Sequence, residues 1–311
     1  MMKQEAAPIP TKSTFPVNGQ TMCWVVRRLR DCDSSLVTDG SGSMWQPPDP
    51  SPSSSLLTSL SLTAIVPVIY VASLYIWRQR IRDHPRTIQL RFVSVIATTL
   101  ISLLLVWKFV PSGDRSFCSL VGACFTQTNL VDALFLPILI TGILFLGPLV
   151  VLWDTYTWEE WMEMMREEVI DLQSFRNYVI APITEETIFR GVISAFLSMY
   201  FVNKTVILII SSSVFAMAHT HHYFFQSAQG LPEISLAAGL FQVVYTFLFG
   251  LYSGVFYLKS GSILTSISLH IFCNFLGFPD MDTLYSRSKY WTATLTGFCL
   301  WVLICPLYLR A

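Results

Sequence analysis

The chain has 311 residues, 53% of which are hydrophobic and only 13% of which are charged. Soluble domains carry about twice that charged share, so the composition excludes an ordinary soluble domain. The 20 basic and 20 acidic side chains balance, and a chain without a basic excess is not expected to bind nucleic acid. The composition therefore predicts an all-α, polytopic membrane protein.

The first part of the chain predicts a flexible tail. Proline and serine are concentrated in residues 44–55, and stretches of this composition resist regular packing. We therefore expect two regions, a flexible N-terminal tail over residues 1–55 and a membrane domain over residues 56–311.

Apolar runs follow the tail, and each is close to the roughly 20 residues that cross a bilayer as a helix. The stretch 117–132, between the second and third runs, is too short and too polar to span. We predict about eight transmembrane helices, near residues 56–77, 92–110, 133–153, 177–201, 205–222, 236–258, 261–278 and 290–309.

The first loop between these helices sets the predicted orientation, because dense basic loops stay in the cytosol. This loop holds five arginines within residues 78–91. Alternation from it places the loops 154–176, 223–235 and 279–289 in the cytosol as well, and the N-terminal tail in the lumen.

The segment 154–173 is acidic, yet it also carries apolar residues at roughly helical spacing. This pattern is typical of an amphipathic helix at the membrane interface. A solvated connecting helix has the same pattern, so both interpretations stay open. The apolar positions are Trp158, Trp161, Met162, Met165 and Ile170.

Ionisable side chains recur inside three of the apolar runs, where each costs at least a few kcal/mol and therefore needs a reason. Glu186 and Arg190 are four residues apart, share a helical face and can form an ion pair. Glu185 lies about 100° around the helix from Glu186, so it can face a different neighbour. The set comprises Glu185, Glu186 and Arg190 in the fourth run, His219 in the fifth, and His270 and Asn274 in the seventh.

The predicted orientation places the chemically useful side chains at one depth. Glu185, His219, His270 and Asn274 all fall in the cytosolic halves of their helices, so they can meet in a cavity that opens to the cytosol. Pro182 frees a backbone carbonyl just before Glu185 and favours a kink there. Taken singly, Asn274 would be a helix–helix contact and the Glu186–Arg190 pair would be structural.

Four groups of these types suffice for peptide hydrolysis. A carboxylate can take a proton from water, and a histidine can orient that water and protonate the leaving amine. Neutral donors from histidine and asparagine can hold the oxyanion. A zinc site built from Glu185, His219 and His270 is an alternative, because three such ligands and a water form a catalytic site. The seven cysteines include no Cys-x-x-Cys pair, so a thiolate zinc site is not expected.

The motifs, in their order along the chain, resemble those of a known family. Glu-Glu-x-x-x-Arg, Phe-x-x-x-His and His-x-x-x-Asn resemble the CAAX prenyl protease and bacteriocin-processing superfamily. Within it, residues 176–186, 218–222 and 273–279 are similar to the eukaryotic type II CAAX proteases, the Ras-converting enzymes. The likeness covers residues 60–305.

The resemblance implies an intramembrane endopeptidase of the endoplasmic reticulum whose protease domain is the segment 56–311. Such enzymes remove the last three residues from proteins whose CAAX cysteine carries a farnesyl or geranylgeranyl group, Ras-type small GTPases among them. The family pattern implies that Glu185 activates water with His219, without a metal or other cofactor. It further implies that His270 and Asn274 stabilise the oxyanion, supported by Glu186 and Arg190.

The membrane suits such a substrate. A prenyl chain partitions into lipid at about 0.8 kcal/mol per buried CH₂ group. A protease within the bilayer can receive that chain sideways while the peptide arrives from the cytosol. Prenylated proteins and membrane lipid are therefore the expected partners.

Three other functions would use the same residues or the same fold. A zinc metalloprotease on the same substrates uses the alternative site described above. A non-catalytic membrane scaffold of the same fold would be expected to have eroded motifs, and none is eroded. A transporter that uses Glu185 and Glu186 as a proton relay predicts inverted repeats, and none is evident in the sequence.

Overall fold

The structure is a computed structural model that describes residues 53–77, 83–111, 116–124, 127–221 and 236–310. Every regular element within these ranges is a helix, which confirms the all-α prediction. Most of the predicted tail lies outside the described residues, and the first described helix begins at Ser53.

Outside the fourth predicted span, the described ranges contain eleven α-helices. In chain order they are α1 (Ser53–Ser73), α2 (Pro85–Phe109), α3 (Phe117–Leu120), α4 (Gln127–Leu144), α5 (Leu146–Thr155), α6 (Trp158–Ile170), α10 (Lys204–Ala218), α11 (Leu236–Ser260), α12 (Ile263–Leu276), α13 (Met281–Ser286) and α14 (Ser288–Arg310).

The fourth predicted span is a composite, which we call the motif helix (residues 172–198). It alternates short α and π segments, so the helical register changes twice along it. Its segments are α7 (Leu172–Phe175), π1 (Arg176–Ile180), α8 (Ala181–Glu186), π2 (Thr187–Val192) and α9 (Ile193–Ser198).

The apolar helices correspond to the predicted spans. In the described ranges, α2, α11 and α14 are long and apolar enough to cross a membrane unaided. Residues 57–73, α10 and α12 are shorter apolar helices, and the pair α4–α5 passes the same test as one broken span. Together with the motif helix they account for the eight predicted runs.

The third predicted span is not straight. It breaks at Phe145, and the two halves, residues 133–144 and 146–155, are bent by 81° relative to each other. Gly147 and Pro148 follow the break directly, and this pair is a frequent turn signal. Gly147 also lies so close to Thr294 of α14 that a Cβ atom would not fit there.

The motif helix forms the centre of the bundle, packed against α1, α2, α10 and α12, and its Arg190 side chain reaches α11. Its second half is almost completely enclosed, so its side chains are held by neighbours on every side. Residues exposed by 1% or less include Ile188, Phe189, Val192, Ile193, Phe196 and Leu197.

Close packing of α10 on α11 brings a polar group to this centre. Gly250 and Gly254 form a Gly-x-x-x-Gly pair on α11, and a Cβ atom at either would contact Ser212 or Leu208 of α10. Small residues at such positions let membrane helices approach closely. The approach places Ser253, which lies between the two glycines, beside the motif helix.

The acidic segment forms the predicted helix. Thr157 caps α6 with a full capping box, because it accepts from the Glu160 N–H while the Glu160 carboxylate accepts from the Thr157 N–H. Trp158 and Met162 are exposed on this helix, whereas Trp161 packs on Phe275 of α12.

Candidate active site

Glu185 and His219 face each other in the candidate site. Oε2 of Glu185 lies 3.6 Å from Nε2 of His219, and the two side chains are 19% and 20% exposed. Glu185 belongs to α8, and His219 is the residue that ends α10. Of the four side chains predicted to share one cavity, these two are in contact, and both are partly exposed.

A backbone carbonyl fixes the tautomer of the neutral His219 ring. Nδ1 lies 2.8 Å from the carbonyl oxygen of Phe215, one turn earlier in α10. A carbonyl oxygen only accepts, so Nδ1 carries a proton and the neutral ring presents a lone pair at Nε2. Nε2 and the Glu185 carboxylate are then two acceptors side by side, a pair suited to receive both hydrogens of one water.

Glu186 faces the opposite direction and is fully enclosed. Its Oε2 lies 3.1 Å from Nε of Arg190, which confirms the predicted ion pair four residues along the helix. Its Oε1 accepts from Nδ1 of His270 across 2.8 Å. The carboxylate is therefore shared between a guanidinium and an imidazole, and the second partner was not predicted.

Arg190 is held by groups from three helices. Nη2 donates to Oγ of Ser253 at 2.8 Å, and the guanidinium lies 4.3 Å from the ring centroid of Phe215. The contact between Nε and Oε2 of Glu186 is poorly aligned for a hydrogen bond, so the attraction within this pair is mainly coulombic. A buried charge without these partners would be strongly unfavourable.

The Phe215 side chain joins the two histidines and the arginine. Its ring lies 4.5 Å from that of His219 and 6.3 Å from that of His270, centroid to centroid, in edge-on contacts. Phe249 of α11 closes the other side of His270 at 5.2 Å. These rings limit rotation of the imidazoles and keep water from the Glu186 carboxylate.

Asn274 reaches the motif helix one turn beyond His270. Its Nδ2 donates to the carbonyl of Asn177 at 2.8 Å. In π1 the Ala181 N–H donates to Arg176, five residues back. Pro182 is next and has no N–H to give to Asn177 in the same register, so this carbonyl is left for Asn274.

The predicted catalytic residues are thus only partly in mutual contact. Glu185 contacts His219, whereas His270 contacts Glu186 and Asn274 contacts backbone. Within the described part of the chain, the hydrogen bond of Asn274 goes to Asn177 and not to the other three predicted side chains. One Nδ2 hydrogen of Asn274 stays available for another acceptor.

Metal ligation finds no support in the donor geometry. Among the described residues, no three side chains of histidine, cysteine, aspartate or glutamate lie close enough to hold a metal ion together. Glu185, His219 and His270 therefore do not form such a group of three in this structure.

Sequence reasoning missed four residues that shape the site. Phe215 is the first residue of the Phe-x-x-x-His motif, and this motif could have indicated that it belongs to the site. Phe249, Ser253 and Tyr70 carried no signal, because aromatic and small polar residues are common in membrane helices. Tyr70 donates toward Thr184, the residue directly before Glu185.

Comparison with known proteins gives the family. Residues 170–276, which include every predicted site residue, match the family described as "Type II CAAX prenyl endopeptidase Rce1-like". CAAX prenyl protease 2 from Homo sapiens is 33% identical over 232 residues, covering 68% of this chain and 68% of that protein. The chain belongs to the type II CAAX prenyl endopeptidase family.

Other members of this family are found in distant eukaryotes. CAAX prenyl protease 2 from Rattus norvegicus is 28% identical and covers 75% of this chain and 72% of its own length. The Saccharomyces cerevisiae protein of the same name is 33% identical over 130 residues, which is 40% of this chain and 41% of its own. No solved structure matches the chain significantly. Membership makes the chain a CAAX prenyl endopeptidase, and thus a hydrolase.

Proposed function

We propose that this protein removes the C-terminal tripeptide from farnesylated or geranylgeranylated CAAX proteins, with Glu185 and His219 activating the attacking water. Ras-type small GTPases are among the proposed substrates. The enzyme acts in the endoplasmic reticulum membrane with its site open to the cytosol, as the basic first loop suggests.

The separation of Glu185 and His219 carries this proposal. At 3.6 Å the two acceptors are too far apart for a direct hydrogen bond but suited to a shared water. Their partial exposure lets water and peptide reach them, whereas Glu186 and Arg190 are enclosed. A buried, fully paired set would instead suit a purely structural role.

The chemical steps use this pair. Glu185 takes a proton from the water as its oxygen attacks the carbonyl carbon of the prenylcysteine. The tetrahedral intermediate then collapses, the C–N bond breaks, and the proton passes to the nitrogen of the departing tripeptide. His219 orients the water through Nε2, because its Nδ1 proton is committed to Phe215.

His270 and Asn274 stabilise the oxyanion in this proposal. Nδ1 of His270 is committed to Glu186, so Nε2 can donate only when the ring is an imidazolium. The Glu186 carboxylate fixes the plane of the ring, as the aspartate of a serine protease does for its histidine. The remaining Nδ2 hydrogen of Asn274 supplies a second, neutral donor.

The proposed mechanism needs no metal ion. Each step is assigned to side chains already placed, and those described do not assemble a metal site. Membrane lipid is the second proposed partner, because the prenyl chain of the substrate must stay in an apolar phase while the peptide is cut.

Cleavage of a farnesylated CAAX peptide by the purified protein tests this function. The tripeptide product is measured by mass spectrometry for wild type, Glu185→Gln and a lipid-facing control, Leu248→Ala on α11. Release by wild type and the control but not by Glu185→Gln supports the proposal. Wild type that releases nothing would favour the scaffold, and an active Glu185→Gln would refute the role of Glu185.

A further inference from the structure

Tyr70 of α1 is hydrogen-bonded to the turn that carries Glu185 and Glu186. Its hydroxyl lies 2.8 Å from Oγ1 of Thr184, and the tyrosine is 5% exposed. Thr184 immediately precedes Glu185. The contact joins residues 114 positions apart in the chain, so it fixes one helix against another.

The direction of this hydrogen bond follows from its second partner. Oγ1 of Thr184 also lies 2.7 Å from the carbonyl oxygen of Ile180, which only accepts. The single hydroxyl proton of Thr184 therefore goes to Ile180, and Tyr70 must donate to Thr184. Tyr70 thus holds this turn in place through a hydrogen bond, and its hydroxyl proton is not available to Glu185.

The ring of Tyr70 holds the following turn. It makes an edge-on contact with Phe189 of π2 at 6.2 Å between centroids. The hydroxyl therefore fixes the residue before Glu185, and the ring packs three residues after Glu186. Between these contacts lie the two carboxylates, at the point where the helix changes from α to π register.

The same end of α1 also contacts the segment that carries His219. The ring of Tyr75 makes an edge-on contact with that of His221 at 5.7 Å. Arg91 of α2 donates from Nε to the carbonyl of Leu74 at 3.1 Å, which anchors this stretch. One short segment, residues 70–75, therefore contacts both chain segments that bring the proposed base and histidine together.

We propose that Tyr70, through its hydrogen bond to Thr184, is a positioning residue that sets the separation of Glu185 and His219. This inference rests on the proposed role of Glu185. Tyr70 itself touches no reacting atom. Loss of the bond should leave substrate binding intact and misplace the base, which lowers kcat rather than raising KM.

The test is a double-mutant cycle on Tyr70→Phe and Thr184→Val, with kcat and KM measured on a prenylated peptide. Each single variant should lose about tenfold in kcat, as one misplaced or lost hydrogen bond of about 1.4 kcal/mol implies, with KM changed less than twofold. The double variant should be no slower than the singles, because both remove the same bond. Thr184→Ser keeps the hydroxyl and should restore most of the rate.

Tyr200→Phe is the matched control. Its hydroxyl is also buried, but within the described part of the chain it has no hydrogen-bond partner. It should keep wild-type kcat. If Tyr70→Phe does not give folded, monodisperse protein, the kcat of Thr184→Val is compared with that of Thr184→Ser instead. Both of these variants keep Tyr70.

Three results would overturn the inference: wild-type kcat in Tyr70→Phe or Thr184→Val, additive losses in the double variant, or an equal loss in Tyr200→Phe. Glu185→Gln in the same assay separates this outcome from failure of the proposed function. An active Glu185→Gln refutes the proposed base, whereas an inactive one beside a fully active Tyr70→Phe refutes only the positioning role.

Discussion

Nδ1 of His270 lies 2.8 Å from Oε1 of Glu186, in a contact that leaves the imidazole one free nitrogen. The same carboxylate balances Arg190, so a row of three charged or chargeable groups runs through the interior of the bundle. The other carboxylate, Glu185, belongs to a separate pair with His219. Glu185 and Glu186 are adjacent in the motif helix, yet Glu186 belongs to an enclosed pair and Glu185 to an accessible one. Substitutions in these two pairs should therefore have different effects.

Glu185→Gln and His219→Ala should each lower the rate of prenyl-peptide cleavage by about a thousandfold or more, because each removes a group that contacts the water. Both side chains are partly exposed, so unfolding in detergent should change by less than about 1 kcal/mol. Steady-state kinetics and thermal melts of the same preparations measure both quantities. A variant that cleaves at close to the wild-type rate would contradict the assignment.

Glu186→Ala and Arg190→Ala should be far more damaging to the fold. Each strands a buried charge, at a cost of about 3–5 kcal/mol when the partner is removed. We expect low yields and lowered melting temperatures in addition to low activity. Abundant, monodisperse and inactive protein would instead show that these two residues act in the chemistry itself.

Asn274→Ala should lower kcat by about a hundredfold with little change in KM, the usual effect of removing one oxyanion donor. Its contact with Asn177 gives a competing explanation, in which the side chain only joins two helices. Pro182→Ala tests this explanation. It introduces a backbone N–H that can donate to the Asn177 carbonyl and so compete with Asn274. If Pro182→Ala reproduces the loss in kcat and Asn274→Ala also lowers stability, the helix contact is the better account.

Removal of metal should leave the rate unchanged. Protein treated with a hydrophilic chelator and verified by metal analysis should cleave the peptide as untreated protein does. The chelator must be hydrophilic, since an apolar one can compete with the prenyl chain of the substrate for its proposed binding site. Stoichiometric zinc whose removal and return track the activity would establish the metalloprotease alternative.

The cap of α6 should weaken at acid pH. Hydrogen bonds from Thr157, chiefly from its backbone N–H, hold the pKa of Glu160 below its ordinary value. A lowered carboxyl pKa means that the stabilisation is complete above the ordinary glutamate pKa and is lost as the pH falls towards the lowered one. Amide exchange in the first turn, corrected for intrinsic rates, should therefore rise on acidification. Glu160→Gln removes the titrating carboxyl and should abolish this pH dependence, whereas Glu159→Gln in the same turn should retain it.

Spacing and depth predicted part of the site. The interval of four residues was enough to predict the Glu186–Arg190 ion pair, because both residues lie on one helix and four residues make about one turn. Agreement in depth was enough to predict that Glu185 meets a histidine. Both predictions depend only on local helical geometry and on the alternation of spans.

The partner of His270 could not be predicted in this way. Glu186 and His270 are 84 residues apart, and which of two adjacent carboxylates faces α12 depends on the rotation of the motif helix. A period of 3.6 residues does not describe that rotation once π turns intervene. Gly147 and Pro148 were a signal for the bend at Phe145. Because the run 133–153 is continuously hydrophobic, it was nevertheless predicted as one span.

The two π turns also make the length of the motif helix adjustable by single residues. A π turn holds one residue more than an α turn, so deletion of one residue from 187–192 would let this stretch relax to α-helix while its flanks stay in place. Deletion of Thr187 would bring Arg190 to the third position after Glu186. The span would survive, but the geometry of the Glu186–Arg190 pair would change. A geometry of this kind is gained or lost by insertion and deletion, which substitution scans never sample, so single-residue deletions across 176–192 would reveal which register the chemistry requires.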